Sequence, residues 1–543
     1  MTEQRRLIAG GRIFTGDPEK PWAEAAVVEG NCFAFVGSSR EAISFAGPAA
    51  ETIDCAGELV LPGFVDGHVH VVMTGASLLK AQLRDAVGLE QIQGRIRDWA
   101  SQHPDAPRVL ATGWVQGSLE EGAPTREMLD AVVDDRPVYV AAHDLHSCWV
   151  NSAALRELKI TNSTPDPVGG RIVRNADTGE ATGHLFETVM TERIWPLLNK
   201  ISEAEIDRQL AAALDAYTRS GITSAVEMAL EAPALEAMAR AEAKGGLGVR
   251  IVAHVIIHRG PDADGELAQV AAAGRMAAKY TGDRLRVGGI KIISDGTIDG
   301  CTAALLEPYS NGLNAEPIWD ADSLKRVVVK ADAEGLQVAI HAIGDRAIRS
   351  SIDALEHAAQ VNGTSGRRHR IEHLEYAADE DIARLGALGI TASMQPVHVD
   401  PSILGNWIEM IGVERGQNGM AWPRYIETGA TLALGTDTPT APFEPIPNMY
   451  VAATRASPSD PSLPAHRPEW ALPLEEAIIH GTRESAYAAW LDHVTGSIKV
   501  GLAADMVVLD RDVFAEGPKA LLETSIRLTM MDGRVTFSAE ADA

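Results

Sequence analysis

The chain has 543 residues, 45% of them apolar and 23% charged, a composition that excludes a disordered or fibrous protein and fits a large domain with one or two smaller ones. A formal net charge of -27 without a long Lys/Arg run argues against nucleic acid and anionic membrane surfaces as partners. Cys32, Cys55, Cys148 and Cys301 are scattered with no CxxC pair, so reduced thiols in the cytoplasm are expected. No secretory signal and no apolar run of membrane-spanning length is read.

Residues 1–60 predict short strands, at 7–13, 25–28 and 33–36, punctuated by Gly, Asn and Asp. Residues 504–510 and 526–535 predict the same, and β-rich ends of one chain commonly join in space. Between them, Ala-rich amphipathic helices are predicted at 203–219, 234–243, 265–279 and 324–334. They alternate with apolar strands at 250–257, 288–294, 337–341, 370–374, 391–394 and 431–434. Strand–helix alternation implies a parallel sheet, and polar residues recurring at the strand ends favour a (β/α)₈ TIM barrel over a doubly wound sheet. Residues 85–187 fit the alternation poorly and show few clear strands, so they are expected as an insertion. The expected organisation is a β-sandwich from 1–60 and 498–543 around a barrel at 61–497.

The first chemical signal is Pro62-Gly-Phe-Val-Asp-Gly-His68-Val-His70, where an apolar strand runs into two histidines on one face, as chelation of a divalent metal requires. The second is Lys291 among Ile290, Ile292 and Ile293. A buried ammonium there needs a nearby carboxylate or conversion by CO₂ to a metal-bridging carbamate; a rim position with its head in water is the third option. His341, His373 and Asp437 each follow an apolar run, at successive expected strand ends. Asp345 is expected to cap the next helix, and Asp295 to support the site from behind. No phosphate-binding loop supports a kinase, helicase or dehydrogenase: Gly245-Gly-Leu-Gly248 lies between a helix and a strand, the reverse of the required order.

The order HxH, Lys, His, His, Asp resembles the amidohydrolase superfamily. Several further segments resemble its amidohydrolase-3 (YtcJ-like) family across essentially the whole chain. They are 138–155, with His146-Ser-Cys-Trp-Val-Asn151; Gly169-Gly-Arg-Ile-Val; Gly183-His-Leu-Phe-Glu187; Ile290-Lys-Ile-Ile-Ser-Asp-Gly; His341-Ala-Ile-Gly-Asp; and Glu372-His373. The resemblance implies a divalent metal centre, zinc by expectation, with one or two ions per chain. His68, His70 and Asp437 would hold the more buried ion, a carboxylated Lys291 would bridge, and His341 and His373 would hold the second. Asp437 would also act as general base and then acid. The loop Thr297-Ile-Asp-Gly-Cys-Thr302 departs from the family pattern, which puts substrate preference in question.

Further expectations concern the substrate. His146 is read as polarising the scissile carbonyl, against a plain role in ordering the insertion. Trp114 is read as an apolar wall, against a plain core role, and His398 as pocket lining. The expected activity is hydrolysis of a C–N bond in an amide, N-acyl or carbamate-like small molecule. Ester, lactone or cyclic-amide hydrolysis at the same centre is the alternative, and a non-catalytic metal-binding regulator the remote one. A homodimer is what the resemblance implies for assembly.

Overall fold

A computed structural model describes residues 5–115, 118–119, 123–142, 147–167, 170–198, 200–363 and 366–540. The chain separates into two compact units, one of residues 1–71 with 214–543 and one of residues 72–213. No helix among the described residues is long and apolar enough to cross a membrane.

The larger unit is built on an eight-stranded parallel sheet that curls into a nearly closed barrel. Its strands in chain order are β1 (Phe64–Val69), β2 (Ile222–Leu230), β3 (Arg250–Ile257), β4 (Leu285–Ile293), β5 (Gln337–Ala342), β6 (Arg370–His373), β7 (Thr391–Met394) and β8 (Leu432–Leu434). Each pairs in parallel with its neighbour, and helices such as Ala263–Lys279, Ala321–Ala333 and Asp345–Asn362 cover the outside between strands. The apolar runs Ile-Val-Ala of β3 and Val-Ala-Ile of β5 are buried on both faces, as a covered parallel sheet demands. At the seam between β8 and β1 the backbones come very close. A Cβ on Gly435 would lie 2.5 Å from the His68 nitrogen, and one on Gly67 would lie 2.7 Å from the Leu434 oxygen, so only glycine fits. Past the strands, Asp437 N–H donates to the His68 carbonyl (2.8 Å) and His70 N–H to that of Thr438 (3.0 Å), which draws both strand ends together.

Both termini join in two further sheets of the same unit. Met506–Leu509 pairs antiparallel with Leu59–Pro62, and Ile526–Met531 and Arg534–Ser538 extend that sheet. A four-stranded sheet contains Arg5–Ala9, Ala25–Glu29, Cys32–Gly37 and Glu51–Asp54. Ile8, Val28, Phe33, Val60, Met506 and Met530 share one core between the sheets. The single strand expected at 7–13 is two, Arg5–Ala9 and Arg12–Phe14, in different sheets. Gly10 breaks it with φ +77°, a left-handed conformation that turns the chain from one sheet into the other.

The smaller unit corrects the expectation of few strands. It holds a six-stranded mixed sheet in the order Gly170–Arg174, Ala181–Glu187, Ser147–Val150, Val138–Ala142, Val109–Trp114, Ala81–Gln82. Most of these strands are five residues or shorter, so no clear period-2 pattern survives in the sequence. Asn151 organises its centre. Its Oδ1 caps the helix Ser152–Glu157 through Ala154 N–H (2.9 Å) and also accepts from Val138 N–H (3.0 Å). Its Nδ2 donates to the carbonyls of Val133 and Arg136, both at 3.0 Å. All four hydrogen-bonding positions of a fully buried amide are thus used. Asn151→Ala strands these groups and is expected to cost about 2–4 kcal/mol in urea unfolding followed by circular dichroism. A loss under about 1 kcal/mol would contradict this role.

Candidate metal centre

Residues from five barrel strands or the loops just after them converge at one end of the barrel. β1 delivers His68, with His70 just beyond it; β4 delivers Lys291, β5 His341 and β6 His373. Asp437 lies just past β8. One ligand atom each from His68, His373 and Asp437 lies within 4.8 Å of the others. The rings of His341 and His373 meet edge to face at 4.5 Å, and those of His68 and His70 at 5.6 Å. Two of these positions carry backbone strain. His373 has φ +76° and Asp437 φ +57°, left-handed values that side chains other than glycine adopt only where surrounding structure enforces them.

The hydrogen bonds fix which imidazole nitrogen carries a proton. His70 Nδ1 lies 2.7 Å from the Met228 carbonyl, an acceptor only, so Nδ1 is the N–H. His68 Nδ1 donates to Glu372 Oε2 at 2.7 Å, and His373 Nδ1 to Gln395 Oε1 at 2.8 Å. In the neutral imidazoles each Nε2 then offers a lone pair. His68 Nε2 and His70 Nε2 both stand 3.2 Å from Asp437 Oδ1, so two lone pairs face one carboxylate oxygen. That contact is repulsive unless a cation, protons or a metal, lies among the three atoms. His341 is turned differently: its Nε2 is 3.2 Å from the Gly296 carbonyl, which leaves the lone pair on Nδ1.

Charge at the site is held by burial and close pairing. Burial alone would raise Asp437, but His68 and His70, where their Nε2 atoms carry protons, hold its carboxyl well below the usual range. Burial likewise opposes ionised Glu372, and Arg370 and His68 outweigh it. Burial pushes His341 down to about 3 and His373 well below its usual value, with the nearby Lys291 adding to both, so both are neutral bases suited to a metal. Lys291 is 2% exposed and its Nζ has no hydrogen-bond partner among the described residues. Burial pushes that ammonium down to about 8, against the pull of Glu372 and Asp437. The donor set and the orphaned Nζ fit a divalent cation site: imidazole and carboxylate donors lie together, and the amine beside them, once neutral, carries a lone pair that no protein group occupies among the described residues.

Of the substrate-facing expectations, His398 comes to this end of the barrel. Its Nε2 is 3.7 Å from Asp437 Oδ2 and its Nδ1 3.5 Å from Glu375 Oε1, while Trp407 Nε1 holds the other Glu375 oxygen at 2.7 Å. Trp114 is in the core of the smaller unit, against Trp149 and His184. His146 lies outside the described residues. Asp295 accepts backbone N–H groups of Ala304, Ile343 and Gly344 and so shapes the loops around His341. Asp345 does not cap: Gly344 holds the cap position, and the carboxylate instead accepts Leu306 N–H at 2.8 Å. The sequence reading missed Arg370, Glu372 as a partner of His68, Gln395 and Glu375. Opposite charges two residues apart within β6, a strand that is buried throughout, are the signal that could have flagged the first two.

Residues 51–537 match the family described as the amidohydrolase family. The chain belongs to that family. Within it, YtcJ of Bacillus subtilis (strain 168) is 30% identical over 537 residues, 97% of this chain and 98% of that one. The N-substituted formamide deformylase of Arthrobacter pascens is 26% identical over 566 residues, 99% of each chain. Among solved structures, an uncharacterized metal-dependent hydrolase of Pyrococcus horikoshii OT3 superposes with a TM-score of 0.75 at 26% identity, covering 94% of this chain and 98% of the other. The fold is thus that of amidohydrolase-superfamily hydrolases, and His68, His373 and Asp437 form its candidate metal-binding group.

Proposed function

We propose that the chain hydrolyses a C–N bond of a small molecule, in an amide, N-acyl or carbamate-like group, at a binuclear metal centre on this face. The observation that carries the reading is the meeting of His68 Nε2 and His70 Nε2 at Asp437 Oδ1, each at 3.2 Å. His68, His70 and Asp437 would hold one ion and His341 and His373 a second, with zinc suited to such nitrogen and oxygen donors. Carboxylation of Lys291 would bridge them. The neutral amine forms an N–C bond to CO₂ and sheds a proton, leaving an anion in place of the unpartnered ammonium; burial, which favours the neutral amine, supports this step.

A divalent metal, when bound, supplies Lewis acidity that makes water nucleophilic near neutral pH and polarises a carbonyl oxygen. Asp437 divides its labour between two oxygens. Oδ1 faces the imidazoles, whereas Oδ2 receives Thr440 Oγ1 at 3.1 Å and faces His398. Oδ2 accepts the proton of the attacking water and returns it to the departing nitrogen as the C–N bond breaks. His398, steadied by Glu375, orients the substrate beside that oxygen. A formamide-cleaving relative that matches the full length supports a C–N bond as the target.

The test is elemental analysis of protein purified without added metal, with Lys291→Ala in parallel, followed by a panel of N-formyl, N-acyl, carbamate and ester compounds. About two ions in the parent and one or fewer in the variant is the expected result, with turnover of the C–N compounds. One ion in both would remove the bridging role from Lys291, and turnover of esters alone would overturn the C–N assignment.

A further inference from the structure

Three of the four imidazoles at the centre offer Nε2, and they are backed by unequal partners. His70 Nδ1 donates to a peptide carbonyl and His373 Nδ1 to a side-chain amide, both neutral, whereas His68 Nδ1 donates to a carboxylate. Glu372 is fully buried, and so is the cation that balances it: Arg370 Nε donates to Glu372 Oε1 at 2.6 Å and Nη2 to Oε2 at 3.1 Å. The same Nη2 reaches the carbonyl of Gly67 at 2.6 Å and Ser393 Oγ at 2.6 Å. One guanidinium on β6 therefore grips β7 and, across the barrel interior, the residue just before His68 on β1. An ion pair sealed inside a barrel is costly to desolvate and contributes little net stability, so its placement calls for another explanation. A carboxylate behind an imidazole fixes its tautomer and raises its basicity at the opposite nitrogen.

We propose that Arg370 and Glu372 are positioning residues that make His68 the strongest imidazole donor of the centre and set its affinity for metal. Glu372 supplies the negative charge behind Nδ1. Arg370 holds Glu372 in place and fixes the height of His68 through Gly67. The proposal rests on the metal-centre reading above, but not on which bond is hydrolysed.

The experiment measures zinc(II) and cobalt(II) affinity of the full chain by chelator competition, with the visible absorption of the cobalt form as a second readout. Glu372→Gln keeps the shape and an acceptor for His68 Nδ1–H but removes the charge. Because that variant leaves Arg370 as a lone buried cation, the double variant Arg370→Met, Glu372→Gln is measured beside it, and unfolding of each metal-free protein is followed separately. Metal affinity is expected to fall about 10–100-fold in both, with a changed cobalt spectrum and a metal-free unfolding midpoint close to the parent in the double variant. Affinity within threefold of the parent, or collapse of both metal-free variants, assigns the pair to folding and overturns the proposal. A parent that takes up neither ion overturns the metal reading and the proposal together. Loss of affinity in the variants of a parent that cleaves only esters leaves this proposal standing and removes the C–N assignment alone.

Discussion

Asp437→Asn is expected to lower kcat on a C–N substrate about 10²–10⁴-fold, the range attached to removal of a positioned general acid–base, while leaving the metal content near that of the parent. Asparagine can still turn its carbonyl oxygen toward His68 and His70, where Asp437 Oδ1 now lies 3.2 Å from both Nε2 atoms. At the Oδ2 position it presents an NH₂ group, which cannot accept a proton and faces His398 Nε2 and Thr440 Oγ1. The split between binding and chemistry is therefore built into the two oxygens of one carboxylate. Turnover measured at matched metal content checks it. An Asn variant within tenfold of the parent would move the proton-accepting role elsewhere, and a variant that loses its metal would make Asp437 a ligand before anything else. His68, His70, His341 and His373 would remain as donors in either case.

Much of this was legible in the sequence, for a physical reason. A barrel strand buried on both faces has few places for a polar group, so His68, Lys291, His341, His373 and Asp437 stand out where apolar runs stop. Strand–helix alternation from β3 to β8 made the barrel readable in the same way. What was hidden depends on pairing across distance. Glu372 and His68 are 304 residues apart, and nothing local says that one carboxylate faces that ring and not another. The sheet of the smaller unit was hidden because most of its strands are short. The turn of His341 Nε2 toward the Gly296 carbonyl is likewise set by a loop whose path the sequence does not specify.

The other large effect is expected far from the chemistry. Arg250, at the start of β3, donates to Asp505 and pairs with Asp532, and its side chain is 2% exposed. Asp505 also receives Thr495 Oγ1 at 2.7 Å and Asp532 N–H at 2.8 Å, while Arg284 Nε reaches Asp532 at 2.9 Å. Asp505 precedes the strand Met506–Leu509 and Asp532 lies in the turn after Ile526–Met531, so this cluster ties the barrel to the sheet built from both termini. Arg250→Met removes the main cation from two carboxylates. Burial already pushes Asp505 up from its ordinary value, with Arg250 the principal counterweight, so an unpaired charge there has little else to stabilise it. Removing one partner of such a buried pair costs about 3–5 kcal/mol, and that is the expected loss in urea unfolding. Adding Asp505→Leu to Arg250→Met should restore part of it, because the uncompensated charge is gone and apolar contacts take its place. A double variant less stable than the single one would mean that the cluster acts through its hydrogen bonds to Thr495 and the 532 turn, with the charge balance secondary.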